Sequence, residues 1–148
     1  MSRRLCSIAL LLLLLPLLAC SHDPGTATVT RVIDGDTIVI DTGQKVRYIG
    51  IDTPEVYPQA EPYGKEAWEV NRQLVEGKQV RLERDVSDTD RYGRLLRYVY
   101  VDEILVNAEL VRLGLAQAKA YPPDTQNQQY LEELEAAARE TRRGMWVK

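Results

Sequence analysis

Histidine occurs once in this sequence, at His22, and cysteine twice, at Cys6 and Cys20. A structural or catalytic zinc centre draws several Cys or His ligands together, and the body of the chain has none, so a zinc hydrolase is excluded. Long apolar runs are also missing. The longest, Ile8 to Leu18, is about half of the roughly 20 residues that a membrane-crossing helix needs. Net positive charge is lacking too, with a formal charge of −3 at pH 7. Polyanion coating relies on an excess of Lys and Arg. That balance argues against a stoichiometric coat protein, though not against an enzyme that must release its product. Beyond the leucine-rich start there are no low-complexity segments, and internal repeats are absent.

What is present at the start reads as an address. Arg3 and Arg4, a short leucine core and small residues before a cut point are the pattern of a secretory signal, predicted over 1–19. The shortness of the run disfavours an uncleaved anchor. Leu17-Leu18-Ala19-Cys20 resembles a bacterial lipobox, which implies that Cys20 becomes an acylated N-terminus. Cys6 falls in the discarded part, so Cys20 is left as the only thiol and no disulfide forms within one chain. An odd cysteine in an exported protein calls for an explanation, and lipidation supplies it. Ser21 after the cysteine favours the outer membrane of a Gram-negative cell. The expected location is therefore a lipid-anchored domain in the periplasm or outside the cell, on a short tether over 20–25. The remaining 26–148 is the size of one domain with one core. Without Arg3 and Arg4 it is two charges more negative, so the positive field is expected in a single cleft.

Within that domain the pattern predicts α+β structure. Thr26 to Ile33 is β-branched and partly alternating, Asp34-Gly35-Asp36 is a turn, and Thr37 to Ile40 is a second strand. Asp41 to Gln44 is a hairpin turn leading to a third strand, Lys45 to Ile51. Three prolines make Asp52 to Pro62 an irregular loop. A helix is predicted from Tyr63 to Glu76, stopped by Gly77. Strands follow at Gln79 to Leu82 and Leu95 to Val101, flanking a polar stretch from Asp85 to Arg94. Asn107 is predicted to cap a short helix reaching Gly114, and Leu115 to Lys119 to be a short extended piece. The last helix, Gln126 to Arg143, is expected to bury Tyr130, Leu131, Leu134 and Ala138. Five strands with a helix between the third and fourth suit a small closed barrel, the kind to which the OB-fold belongs; the pattern itself gives α+β, a small barrel plus helices.

Three segments carry more polar chemistry than a fold requires: Val32 to Thr37, Arg47 to Glu55, and Asp90 to Arg94. Each alone has a plain reading. Asp-Gly-Asp is a common turn, Asp52 can bond its own backbone, Arg47 can sit on a solvated barrel face, and Tyr92-Gly93 can be an ordinary turn. Together they suggest a site. A meander brings Asp36 and Asp52 to one end, where two carboxylates repel unless a cation neutralises them. Hard oxygen ligands of this kind suit Ca²⁺. Arg47 and Arg94 have the planar guanidinium that grips a phosphate with two charge-assisted bonds, and Glu55 is near enough to act on a water as general base.

Asp34-Gly35-Asp36-Thr37, then Arg47 with Asp52-Thr53-Pro54-Glu55, Tyr63-Gly64-x-Glu66-Ala67, Asp90-x-Tyr92-Gly93-Arg94, and Val106-Asn107 with Leu110 to Ala116 resemble the thermonuclease family in order and spacing. That resemblance implies a five-stranded OB-fold barrel with three helices and a Ca²⁺-dependent endonuclease acting on DNA, RNA or both. It implies Asp36, Asp52 and the Thr53 carbonyl as metal ligands, and Arg47, Glu55 and Arg94 as the catalytic set, Glu55 either removing a proton from water or orienting it. The implied products are 3′-phosphate and 5′-hydroxyl ends. The resemblance implies that Tyr92 contacts a terminal phosphate, and Arg91 stands where the family has lysine. Tyr121 is either a base-stacking platform or a packing residue, since the family's tyrosine pair is reduced to one here. The loop Glu55 to Glu61 lacks the family's lysines. The implied partners are single-stranded or unwound nucleic acid and the membrane, and the implied state is a monomer. The alternative is an OB-fold lipoprotein that binds nucleic acid or oligosaccharide without cutting it.

Overall fold

The computed structural model describes residues 25–147. The predicted signal, Cys6, Cys20, Ser21, His22 and nearly all of the tether lie outside them. Five strands form the barrel: β1 (Thr26–Val32), β2 (Thr37–Ile40), β3 (Lys45–Tyr48), β5 (Gln79–Glu83) and β6 (Leu95–Val101). β1, β2 and β3 are an antiparallel meander, β1 also pairs with β5, and β5 with β6. A parallel pairing of β3 with β6, Val46 to Leu95 and Arg47 to Leu96, closes the ring. This is the expected five-stranded OB barrel with α1 (Gly64–Val75), α2 (Val106–Arg112) and α3 (Gln128–Glu140) around it. Short pieces β4 (Ile51–Asp52) and β8 (Gln117–Ala118) pair with each other outside the barrel, and β7 (Ile104–Leu105) extends β6.

Alternation along the strands fills the interior. Val29, Ile38, Val46, Val80 and Val99 point inward and are almost fully buried, joined by Tyr48, Leu110 and Leu131 from the barrel end and the helices. Burying a side chain of this size contributes about 1.5–3 kcal/mol. α1 places Ala67, Asn71 and Val75 on one buried stripe at helical spacing. Asn71 is the polar member of that stripe. It accepts from the Tyr48 hydroxyl at 2.8 Å and donates to the Asp34 carbonyl at 3.0 Å, pinning the Asp34–Asp36 turn to the helix.

Three expectations are corrected. The third strand does not run from Lys45 to Ile51, because Gly50 takes a left-handed φ of +77° and turns the chain toward β8. Asn107 is not a cap. It lies inside α2, fully buried, accepting from the Val99 amide at 3.0 Å and donating to the Ile49 carbonyl at 2.9 Å. A buried amide satisfied on both sides ties α2 to the barrel, which a cap on the helix end could not do. The last helix is shorter than predicted at both ends, and Tyr130 is half exposed, leaving Leu131 and Ala138 as its buried residues.

Candidate active site

The turn after β1 and the turn after β3 meet at one end of the barrel. Asp36 is buried, and its Oδ2 accepts from the Thr53 amide at 2.9 Å and the Thr53 hydroxyl at 3.1 Å. Arg47 emerges from β3 between the two carboxylates, its Nη2 3.2 Å from Asp36 Oδ2 and 3.0 Å from Asp52 Oδ1. Its Nη1 donates to the Tyr48 and Ile51 carbonyls, both at 2.9 Å. Four contacts hold the guanidinium plane, and its side chain is only 11% exposed. The solvated-face reading of Arg47 is therefore wrong. The Ile49-Gly50 bend supplies the Ile51 carbonyl, so the break in the third strand is what builds this clamp.

Burial raises the Asp36 carboxyl to about 6; the Arg47 charge beside it works the other way, and Asp34 adds to the rise. Glu55 is exposed on the loop after β4. Partial burial raises its carboxyl as well, followed by repulsion from Asp36, Asp52 and Glu61, with Arg47 opposing. Glu55 is held by its backbone: its amide donates to Glu61 Oε2 at 2.9 Å, and its carbonyl accepts from the Glu61 amide at 2.9 Å. Gly64 fits closely under this loop, where a Cβ would collide with the Glu55 carbonyl.

The facing wall comes from the segment before β6. Asp90 accepts from the Tyr92 amide at 2.9 Å and the Arg94 amide at 3.0 Å, and binds Arg94 Nε at 2.6 Å. Tyr92 is exposed, and Arg91 donates to its hydroxyl at 2.7 Å and lies over its ring. Asp36, Arg47, Asp52, Glu55, Arg91, Tyr92, Arg94 and Tyr121 all line one cleft of about 740 Å³. Thr53 stands behind it, bonded to Asp36. The residues read from three separate segments are thus brought together. Tyr121 is 42% exposed on the cleft wall, so it is not a core packing residue.

Comparison with known proteins decides the family. The model of the family described as "Staphylococcal nuclease homologue" matches residues 45–148. The chain is 42% identical over 127 residues to a thermonuclease of Staphylococcus hyicus, covering 82% of this chain and 75% of that protein. It is 46% identical over 119 residues to endonuclease YncB of Bacillus subtilis, covering 74% of this chain and 56% of that protein. The chain belongs to the staphylococcal nuclease homologue family.

Two residues of this family member's cleft region escape sequence reasoning. Lys119, just after β8, places Nζ 2.8 Å from Asp52 Oδ2, and the β4–β8 pairing puts it there. A single lysine in a short extended piece gives no hint of a partner 67 residues away. Asp124 is buried and accepts from the Val86 amide at 3.0 Å and the Ser87 amide at 2.7 Å, fastening the Tyr121 loop to the segment before Asp90. Its signal in the sequence is an aspartate directly after Pro122-Pro123, in a turn.

Proposed function

We propose that the chain hydrolyses phosphodiester bonds of DNA or RNA with the help of Ca²⁺, by water attack on phosphorus, leaving 3′-phosphate and 5′-hydroxyl ends. It is a nuclease by family, a hydrolase of the phosphodiesterase class. The observation that carries the chemistry is the fixed guanidinium of Arg47 between two carboxylates, facing Arg94 and Glu55 across one cleft.

The donor set fits a hard divalent cation. Asp36 and Asp52 offer carboxylate oxygens at one end of the barrel, the hard donors such an ion takes. Among the described residues no three Asp, Glu, His or Cys side chains form a ligand cluster. The resemblance to the family adds the Thr53 carbonyl as a ligand, and water would complete the shell, as Ca²⁺ accepts readily. Bound there, the ion supplies Lewis-acid polarisation of a phosphoryl oxygen and charge neutralisation.

The chain's own residues do the rest. Arg47 and Arg94 bind the phosphate and stabilise charge as it grows on the equatorial oxygens. Arg94 is anchored through Nε by Asp90, which leaves its terminal amines for the phosphate. Arg47 is anchored through Nη1 by two carbonyls, and its Nη2 would turn from Asp36 and Asp52 to meet the phosphate. Glu55 orients or deprotonates the attacking water, and its carboxyl, raised by burial and by the neighbouring carboxylates, is a stronger base than a free glutamate. Tyr92 and Arg91 meet a terminal phosphate, and Tyr121 offers an exposed ring for a base. The sequence further supports export and a lipid anchor at Cys20; Cys20→Ser is then expected to move the protein from the membrane to the soluble fraction.

The test is digestion of single-stranded DNA and of RNA by the purified chain in Ca²⁺, in Mg²⁺ and in chelator, with end-group analysis. Cleavage in Ca²⁺ that chelator abolishes is expected, with Glu55→Gln and Arg94→Ala each lower by at least about 10²-fold. A folded, Ca²⁺-replete wild type that cuts neither substrate overturns the proposal.

A further inference from the structure

Beside the active cleft runs a second groove of about 650 Å³. The two share three supports. The end of β1 gives Val32 and Ile33 to the groove and then Asp34 to the cleft. β3 gives Lys45 to one and Arg47 to the other. The loop after β4 gives Glu55 to the cleft and then Val56 and Tyr57 to the groove. Side chains two apart on a strand point to the same face, so Lys45 continues the line begun by Arg47. A polymer held over Arg47 and Glu55 has the groove as its next stop.

The charge pattern separates the two depressions. Arg47 and Arg94 are engaged by carboxylates in the cleft. In the groove, Arg31, Lys45 and Lys65 make no ion pair with any described residue. The groove's one acid, Glu69, already accepts from Arg72 at 2.8 Å and from Gln73 at 3.0 Å. On a chain with a formal charge of −3, three uncompensated cations around one groove form a local excess of positive charge. Aromatic surface accompanies it. Tyr57 is 74% exposed on the rim, and Trp68 is oriented by its indole N–H donating to the Val32 carbonyl at 3.2 Å. Cations that track a backbone, interleaved with open rings that accept any base, are how proteins hold a single strand without reading its sequence.

We infer that this groove, with Arg31, Lys45 and Lys65 on the phosphates and Tyr57 under a base, is a second subsite for the nucleic-acid strand flanking the scissile bond. The inference rests on the nuclease reading of the adjoining cleft. It also accounts for the loop Glu55 to Glu61, which carries no lysine: the attraction comes from the strand and helix on either side of that loop.

The test compares wild type, Lys45→Gln/Lys65→Gln, Tyr57→Ala and the remote control Lys78→Gln/Arg84→Gln, all checked for unchanged melting temperature. Binding of a labelled single strand of about 15 nucleotides, the upper range for one OB barrel, is followed by anisotropy in chelator over a salt series. Cleavage of that strand and of a dinucleotide is followed in Ca²⁺. The groove double variant is expected to bind on the order of tenfold more weakly at low salt. The slope of log affinity against log salt should become shallower by about 1.4, or about 0.7 for each lost charge on a single strand. Tyr57→Ala is expected to weaken binding at least about fivefold. In both groove variants the ratio of kcat/KM for the long substrate over the short one falls, while the remote control keeps the wild-type slope and ratio. A groove variant with wild-type slope and ratio overturns the subsite. A wild type that cuts neither substrate, with the slope difference intact, overturns the catalytic reading while upholding the groove.

Discussion

Lys119 Nζ lies 2.8 Å from Asp52 Oδ2 while Arg47 Nη2 lies 3.0 Å from Oδ1, so both oxygens of one proposed metal ligand carry a cation from the chain itself. The Lys119 ammonium is stabilised by that contact, its pKa raised first by the Asp52 carboxylate and then by Tyr121. The pair is substantially exposed, and exposed pairs contribute at most about 1 kcal/mol. Lys119→Ala should therefore barely change the melting temperature of the metal-free protein. Its effect should appear in calcium titration calorimetry: with a competitor gone from Asp52, Ca²⁺ should bind several-fold more tightly. Unchanged or weaker Ca²⁺ binding contradicts this.

Asp90 organises Arg94 and the Tyr92 turn through three hydrogen bonds. Burial alone pushes its carboxyl up, but the Arg94 side chain and the two backbone amides outweigh that, and the net shift is downward. A carboxyl lowered in the folded state adds stability above its unfolded pKa of about 4 and loses it as pH falls through the folded value. Asp90→Ala should lower kcat/KM at least about tenfold by releasing Arg94 and the turn, and should flatten acid unfolding below about pH 4. Asp90→Asn keeps an acceptor for the amides and should retain more activity than the alanine variant. Equal activity of the two variants would show that the turn forms without Asp90.

Asn107 is buried with both ends of its amide bonded to the barrel. Asn107→Ala strands the Val99 amide and the Ile49 carbonyl, each at a cost of about 1–3 kcal/mol. The variant should lose roughly 3 kcal/mol or more in denaturant unfolding. Where it remains folded, its cleavage rate should fall modestly, because Asn107 holds the Ile49 carbonyl at the bend that builds the Arg47 clamp.

Two phenols are withdrawn from water. Burial raises Tyr98 to about 12, with the Asn127 amide opposing and Asp85 assisting, and burial raises Tyr48 further still. An acid whose pKa is raised by folding stays protonated in the native state while the unfolded chain gives up its proton. The native state then binds more protons, and stability falls as pH rises from about 10. Alkaline melting curves should show that loss, and Tyr98→Phe should make it less steep. Ultraviolet titration should find these two of the eight tyrosines ionising only with unfolding; early ionisation of all eight contradicts their burial.

The strands, the place of α1 and the approach of Asp36 to Asp52 were legible from local patterning, namely alternation, a proline-rich loop and turn residues at strand ends, whereas the OB barrel and the place of Arg47 beside them came with the family resemblance. Contacts made across long sequence separations were not legible. Gly50 breaks a run that reads as continuous strand, since nothing in Arg47 to Ile51 announces that Ile51 pairs with Ala118. Asn107 looks like a cap because helix starts favour asparagine, yet buried amides can serve tertiary bonds instead. Tyr130 was expected inside with Leu131, but the helix faces Leu131 to the core and leaves Tyr130 at its edge. Lys65 follows the lysine-poor loop closely in the chain, but Lys45, on β3 well before it, comes to the same groove only through the fold.

The closing seam of the barrel runs through the chemistry. Arg47 pairs with Leu96 across it, and Arg94 stands just before Leu95, the first residue of the other edge. Before those two edges zip together, the arginines proposed to grip the phosphate belong to distant parts of an open chain. On the proposed roles of Arg47 and Arg94, half-folded molecules are expected to be inert, whether they arise during synthesis or on heating, and the return of cleavage after a temperature jump should then serve as a clock for ring closure.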